Sequence, residues 1–159
     1  MGIDLGDVRI GVALSDTLGM LAHPRETIQV GTGQAQPAKA AAKGASAPVV
    51  VSSKGVQRIK EIAEKENVGV IVVGLPRNMN GTDGPAAAKA RAFADAVRAK
   101  TGCEVKLLDE RLTTVAAQKA LQESGRNTKN SRQLIDQVAA QMILQTYLDG
   151  EAFKRESAL

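Results

Sequence analysis

The sequence predicts an α/β domain, or a closely related α+β one, in which a mixed sheet carries helices on its faces. Three observations lead there. Two short apolar strands joined by a Gly-Asp turn open the chain, and a β-branched run, Val68 to Val73, stops at Gly74. From that run onward, strand and helix patterns alternate as parallel βαβ units require, and no internal repeat interrupts them.

Taken in order, Gly2 to Leu5 and Arg9 to Leu14 are strands flanking a turn at Gly6-Asp7, a hairpin pattern. Met20 to Val30 is a third strand, and Pro24 within it lacks a ladder donor, which assigns it to a sheet edge. From Gly31 to Pro48 the chain is mostly Gly, Ala, Gln, Pro and Ser, with Lys39 and Lys43 its only charges. So little apolar bulk reads as a mobile surface loop, and residues 31–51 as an insertion. Val49 to Val51 adds a short strand. Lys54 to Asn67 carries Val56, Ile59, Ile62 and Ala63 at helical spacing. Val68 to Val73 suits a central strand covered on both faces. The loop Leu75 to Pro85 ends in Gly84-Pro85, and Pro fits the first position of an Ala-rich helix running to Lys100. Val105 to Leu108 is a strand, Thr113 or Thr114 caps a helix through Ser124-Gly125, and a last helix spans about Ser131 to Leu148. One domain thus occupies 1–150, with 151–159 as a tail.

Composition excludes several function classes. The 159 residues, 43% hydrophobic and 24% charged, suit one core and not two full lobes. No apolar run reaches the roughly 18 residues of a membrane span, and Met1-Gly2-Ile3-Asp4 has no signal-peptide character, so a cytoplasmic protein is expected. Cys103 is the single cysteine and His23 the single histidine, which excludes a disulfide framework and makes His-based catalysis a poor fit. Gly2, Gly6 and Gly11 do not form a dinucleotide fingerprint, and no P-loop is present. The net charge of +4 suits nucleic acid and many ordinary enzymes alike. With aromatic residues at 2%, gripping single strands by ring stacking is disfavoured, and nucleic acid would be held mainly by its backbone.

Three acidic positions stand out. Asp4 lies between Ile3 and Leu5 in an apolar strand, where a carboxylate is costly unless paired, hydrogen-bonded or bound to metal. Asp136 shares its helical face with Ala139, Ala140, Ile143 and Tyr147, while Leu134, Val138 and Met142 form another apolar side. Asp109 and Glu110 end a strand, and alternation sends them to opposite faces, so one of the two can join a site. Carboxylates from separate elements, without serviceable His or Cys, point to a hard divalent cation, Mg²⁺ or Mn²⁺, and to phosphodiester hydrolysis. Asp16 reads as a turn residue, His23 as structural and Cys103 as an inert thiol.

The segments GIDLGDVRIGVALSD, IVVGLPRNMNGTDGP, LLDERLTT and LIDQVAAQMI together resemble the YqgF family, the RuvX-like pre-16S ribosomal RNA nucleases. The resemblance covers nearly the whole chain, except residues 31–51. It implies a ribonuclease H-like fold with a five-stranded mixed sheet of order 3-2-1-4-5, helices on both faces, and kinship with Holliday junction resolvases. It also implies metal-dependent nuclease chemistry with Asp4, Glu110 and Asp136 as catalytic residues and ligands of Mg²⁺ or Mn²⁺. That order sets the Glu110 strand two strands from Asp4, roughly 9–10 Å at the backbone, with side-chain-free Gly74 between them.

Arg9, Arg77, Asn78 and Arg111 all fall at strand ends where they would meet phosphates, and Arg126, Lys129 and Arg132 form a basic patch before the last helix. The leading expectation is a nuclease trimming the 5′ end of precursor 16S rRNA, with nucleic acid and ribosomal particles as partners, as monomer or homodimer. A four-way-junction resolvase would need two active sites and hence a dimer. A ribosome-assembly factor of weak catalysis would bind RNA without a divalent cation. The first segment is also similar to the phosphate loop of actin-like and sugar kinases, but those need two lobes.

Overall fold

The computed structural model describes residues 1–31, 49–113 and 129–159, excepting the side chains of 129–131. Strands β1 (Gly2–Leu5), β2 (Arg9–Ser15) and β3 (Ala22–Gln29) form an antiparallel meander. Strand β4 (Val70–Leu75) pairs in parallel with β1, and β5 (Glu104–Asp109) with β4. The order is β3-β2-β1-β4-β5, as the resemblance implies.

Local chemistry explains the element ends. The β1–β2 turn is closed by the Gly6 amide donating to Arg9 O at 2.9 Å. Pro24 lies on the edge strand β3 opposite Ala13, where the register shifts, an edge irregularity of the kind that accommodates proline. The Ser52 hydroxyl accepts from Gly55 N at 3.1 Å and caps α1 (Ser53–Lys65). Helix α2 (Pro85–Thr101) begins on its proline and ends on Gly102, which takes the left-handed conformation at φ 72°.

Alternation along the strands divides the core. Ile3, Ile10, Val12, Ile71 and Val73 pack against α1 and α2 through Ile59, Ile62, Phe93 and Val97. The other face meets α3 (Lys129–Ser157), where Ala13, Ala22 and Val72 contact Ala139, Ala140, Ile143 and Leu144. Small residues let α3 lie close on the sheet: a Cβ on Gly2 would sit 2.6 Å from Ala140 O.

Three expectations change. Val49 to Val51 forms no strand; Val50 makes an isolated bridge immediately before the Ser52 cap. The last helix continues to Ser157, through most of the expected tail, because Glu151, Ala152, Lys154 and Arg155 favour helix after the apolar period has ended. Leu134 is exposed, so the buried stripe of α3 starts at Ala139. The helix expected from Thr113 or Thr114 through Gly125 and the low-complexity loop lie outside the described residues, Thr113 and the ends of the loop excepted. No helix among the described residues is long and apolar enough to cross a membrane.

Candidate active site

The strand order reverses between β1 and β4, and the carboxyl ends of parallel strands at such a point form a natural crevice. Asp4 stands there, 2% exposed. It is paired across the hairpin with Gly11, and continuing the Ile3–Val73 register by one residue sets Gly74 on its other side. Thus the carboxylate is flanked in the sheet by two positions without side chains.

Neighbouring elements fill that space. Glu110, the first residue of a 3₁₀ turn (Glu110–Leu112) after β5, is 7% exposed. Its Oε1 lies 2.6 Å from where a Gly74 Cβ would be. Ile143 of α3 touches the same point, so Glu110 and Asp4 belong to the α3 face of the sheet. Over Gly11 the helix backbone comes down so far that Asp136 O would be 1.9 Å from a Cβ there. Asp136 is therefore delivered to the same face by main-chain packing. Its carboxylate accepts a 2.6 Å hydrogen bond from Arg9 Nε and is 16% exposed.

Asp109 takes the opposite course. It caps the 3₁₀ turn by accepting from Arg111 N at 3.0 Å, and its carboxylate binds the Arg111 guanidinium at 2.6 to 3.0 Å. Arg77 approaches it at 3.6 Å. The Arg111 guanidinium, followed by the same residue's amide, holds the Asp109 carboxyl down at about 2. Asp83 is lowered too, chiefly by Arg91 and also by Arg77. Geometry thus separates the acidic pair: Glu110 faces the Asp4 side, and Asp109 anchors arginines.

The expected substrate contacts divide accordingly. Arg77 and Asn78 lie on the loop after β4, and Arg111 reaches that loop from the 3₁₀ turn after β5. Arg77 donates to Asp83 Oδ1 at 2.9 Å and to Gly81 O, and Asn78 Nδ2 donates to Thr82 Oγ1 at 3.0 Å. Arg9 is joined to Asp136. Arg132 is exposed on the first turns of α3, Lys129 belongs to that helix by its backbone, and Arg126 lies outside the described residues. Asp16 is the turn residue expected, accepting from Met20 N at 2.8 Å, and the Cys103 thiol donates to Val68 O at 3.2 Å.

Sequence reading missed Asp83, Arg91 and the Lys89–Asp7 pair at 2.5 Å. Their single charges in loops and on a helix carry no local pattern. The role of Gly11 was also missed, although alternation sets it on one face with Ala13, two small residues in succession that signal a close neighbour.

Asp109 yields a pH prediction. Its folded value of about 2 lies below the ordinary 3.8, so between them the unfolded state binds more protons. Its stabilisation is complete above pH 3.8 and disappears as pH falls through 2. A carboxyl NMR titration should give an Asp109 midpoint near 2, with the Arg111 Nε–H resonance moving in step.

The acidic residues also bear on a divalent cation. Asp4 and Glu110 supply two buried, oxygen-only donors on one face beside Gly74, a set suited to a hard ion. Among the described residues no three acidic, His or Cys side chains converge to hold a metal, Asp136 being turned to Arg9. The fit thus rests on two residues, with the third close by on the same helix-covered face.

Comparison with known proteins agrees with this architecture. The chain matches the model of the family described as "RuvX: Holliday junction resolvase" over residues 1–51 and 29–150. It is 44% identical over 158 residues to a protein of Pelotomaculum thermopropionicum named "Putative pre-16S rRNA nuclease", covering 99% of this chain and 91% of that one. A protein of the same name from Listeria monocytogenes is 41% identical over 149 residues, covering 94% and 96%. In fold it is similar to Thermus thermophilus RuvC, solved in complex with a Holliday junction substrate, with TM-score 0.52, 17% identity and coverage of 95% and 93%. With a family model and full-length relatives matching throughout, the chain belongs to the RuvX family.

Proposed function

We propose that this protein is a cytoplasmic, metal-dependent nuclease that hydrolyses phosphodiester bonds while processing the 5′ end of precursor 16S rRNA. The observation that carries the reading is the pair of buried carboxylates, Asp4 and Glu110, on one sheet face beside Gly74. The relatives' names support the RNA substrate.

Asp4 and Glu110 would hold Mg²⁺ or Mn²⁺, with Asp136 as the third ligand once released from Arg9. When bound, the ion supplies a lowered water pKa and polarises a phosphoryl oxygen. The chain's own part is orientation. The sheet fixes Asp4, the 3₁₀ turn brings Glu110 over Gly74, and the close seat of α3 on Gly11 fixes the backbone of Asp136. Arg9, Arg132 and Lys129 are candidate phosphate contacts; Arg77, Asn78 and Arg111 serve the substrate by building the adjacent loop. Ribosomal particles are the proposed partners, with the protein as monomer or homodimer.

A second reading, cleavage of four-way DNA, is favoured by the family model's description. The test offers the wild-type protein a precursor 16S leader RNA and a four-way DNA junction, with Mg²⁺, with Mn²⁺ and with EDTA. Cation-dependent RNA cleavage is expected. Junction cleavage alone would transfer the protein to the resolvases, and cation-independent RNA binding without cleavage would leave an assembly factor.

A further inference from the structure

Two large apolar side chains edge the candidate site. Met79 is 92% exposed in the loop between β4 and α2, and Leu112 is 71% exposed at the end of the 3₁₀ turn that begins with Glu110. Scattered exposed aliphatics are ordinary, but these two are presented by tightly bonded backbone. Gly81 N donates to Asn78 O at 2.9 Å, closing a turn with Met79 and Asn80 at its corners. Asn78 N donates to Thr82 O at 3.0 Å, and Thr82 N to Asn80 Oδ1 at 3.1 Å.

Beneath that turn runs a lattice of ion pairs. Asp83 accepts from Arg77 at 2.9 Å and from Arg91 at 2.7 Å, while Asp109 holds Arg111 at 2.6 Å and Arg77 at 3.6 Å. An Arg111 guanidinium nitrogen lies 3.3 Å from the point a Gly81 Cβ would occupy, so the Leu112 segment and the Met79 turn meet through Arg111. The three arginines are each paired with an aspartate. With those arginines tied to aspartates, Met79 and Leu112 are the large apolar side chains that this rim presents, at the same strand ends that carry Asp4 and Glu110.

The ligand chemistry follows. A thioether is polarizable and adaptable and an isobutyl group offers an apolar surface, both suited to the flat face of a nucleobase, and Met and Leu are among the side chains that wedge between bases. The chain's aromatic rings are elsewhere: Phe93 is buried, Tyr147 lies under Lys106, and Phe153 is near the far end of α3. Base contact at this rim thus has aliphatic side chains to use.

We propose that Met79 and Leu112 contact unstacked nucleobases at the mouth of the site, so that the protein engages single-stranded RNA in preference to a regular duplex. The inference rests on the nuclease reading for bringing RNA to that mouth. It adds base recognition to a binding mode that the scarcity of aromatic residues had assigned to the backbone.

The probe is a short single-stranded RNA carrying one 2-aminopurine, with a fully paired RNA duplex as comparison, both titrated in EDTA so that no cleavage occurs. Wild-type binding is expected to change the 2-aminopurine fluorescence. Met79→Ala/Leu112→Ala should lose that change and bind the single strand about fivefold more weakly, with the salt dependence of binding and the duplex affinity unaltered. Because both side chains are exposed, the variant should melt with the wild type, which separates lost contact from lost fold. A variant that binds and reports like the wild type, or loses single-strand and duplex binding equally, overturns the proposal. Base contacts abolished by the double substitution in a protein that never cleaves RNA would sink the nuclease reading alone. Cleavage and fluorescence both indifferent to the substitution would sink this inference alone, and no RNA binding by the wild type would sink both.

Discussion

Asp4→Asn is expected to lower cleavage of the precursor leader RNA by a thousandfold or more, roughly 4 kcal/mol of transition-state stabilisation. Asparagine has nearly the shape of aspartate, so the strand, the Gly11 pairing and the neighbouring core have no steric reason to change. The substitution removes a negative charge at a position 2% exposed, the charge by which a hard cation would be held. Asparagine also keeps an acceptor oxygen in the same place, so the protein should still unfold cooperatively as a folded domain while activity disappears. That combination is diagnostic, since a merely structural acid would lose stability and activity together. Turnover and thermal unfolding on one preparation decide it, and undiminished cleavage would remove Asp4 from the chemistry. Asp109→Asn should behave differently, disordering the loop after β4 through Arg77 and Arg111 while leaving cation binding intact.

Gly11→Ala should be the most damaging small substitution for stability. Its Cβ would lie 1.9 Å from Asp136 O, 2.4 Å from Asp136 C and 3.1 Å from Gln137 N, all main-chain atoms of a helix. No rotamer relieves that overlap, and α3 is fastened where it lies. Thr27 Oγ1 donates to Gln133 O at 2.7 Å, Gln137 Nε2 donates to Thr27 at 3.2 Å, and Gln141 Nε2 donates to Ala22 O at 2.9 Å. Moving the helix breaks those bonds and shifts Asp136. A loss of about 3 kcal/mol is expected, at the upper end for an overpacked core. That corresponds to a melting temperature lower by roughly 6–12 °C for a chain of this size. Gly69→Ala is the control: nothing lies within 4 Å of its Cβ, and it should stay within about 0.5 kcal/mol of the wild type. Equal effects at the two glycines would refute the close seating of α3.

Much of this was legible in the residues. The opening hairpin, the Pro24 edge strand, the Pro85 and Gly102 helix ends and the β-branched run before Gly74 are local signals, set by dihedral preference and alternation, and they survive folding. Asp4 was visible because an acid between Ile3 and Leu5 contradicts its surroundings. By contrast, the continuation of α3 past Leu148 was missed because its last turns are polar and carry no apolar period. The short Val49–Val51 run suggested a strand that three residues could not sustain beside a helix cap.

Sequence alone determined the elements, their alternation and the acidic positions worth suspecting, because these depend on neighbours a few residues away. With the family resemblance, it also assigned the strand order and selected Glu110 over Asp109. Only the tertiary structure decided how those residues are held. Glu110 faces Asp4 because Gly74 leaves room for it, and Asp109 is committed to Arg111 and Arg77 on the other side. Arg9 meets Asp136 across 127 positions of chain, and a glycine at 11 is compelled by a helix that begins more than a hundred residues later. Such contacts join distant segments through packing and charge, and no local pattern encodes them until the sheet has brought the strand ends together.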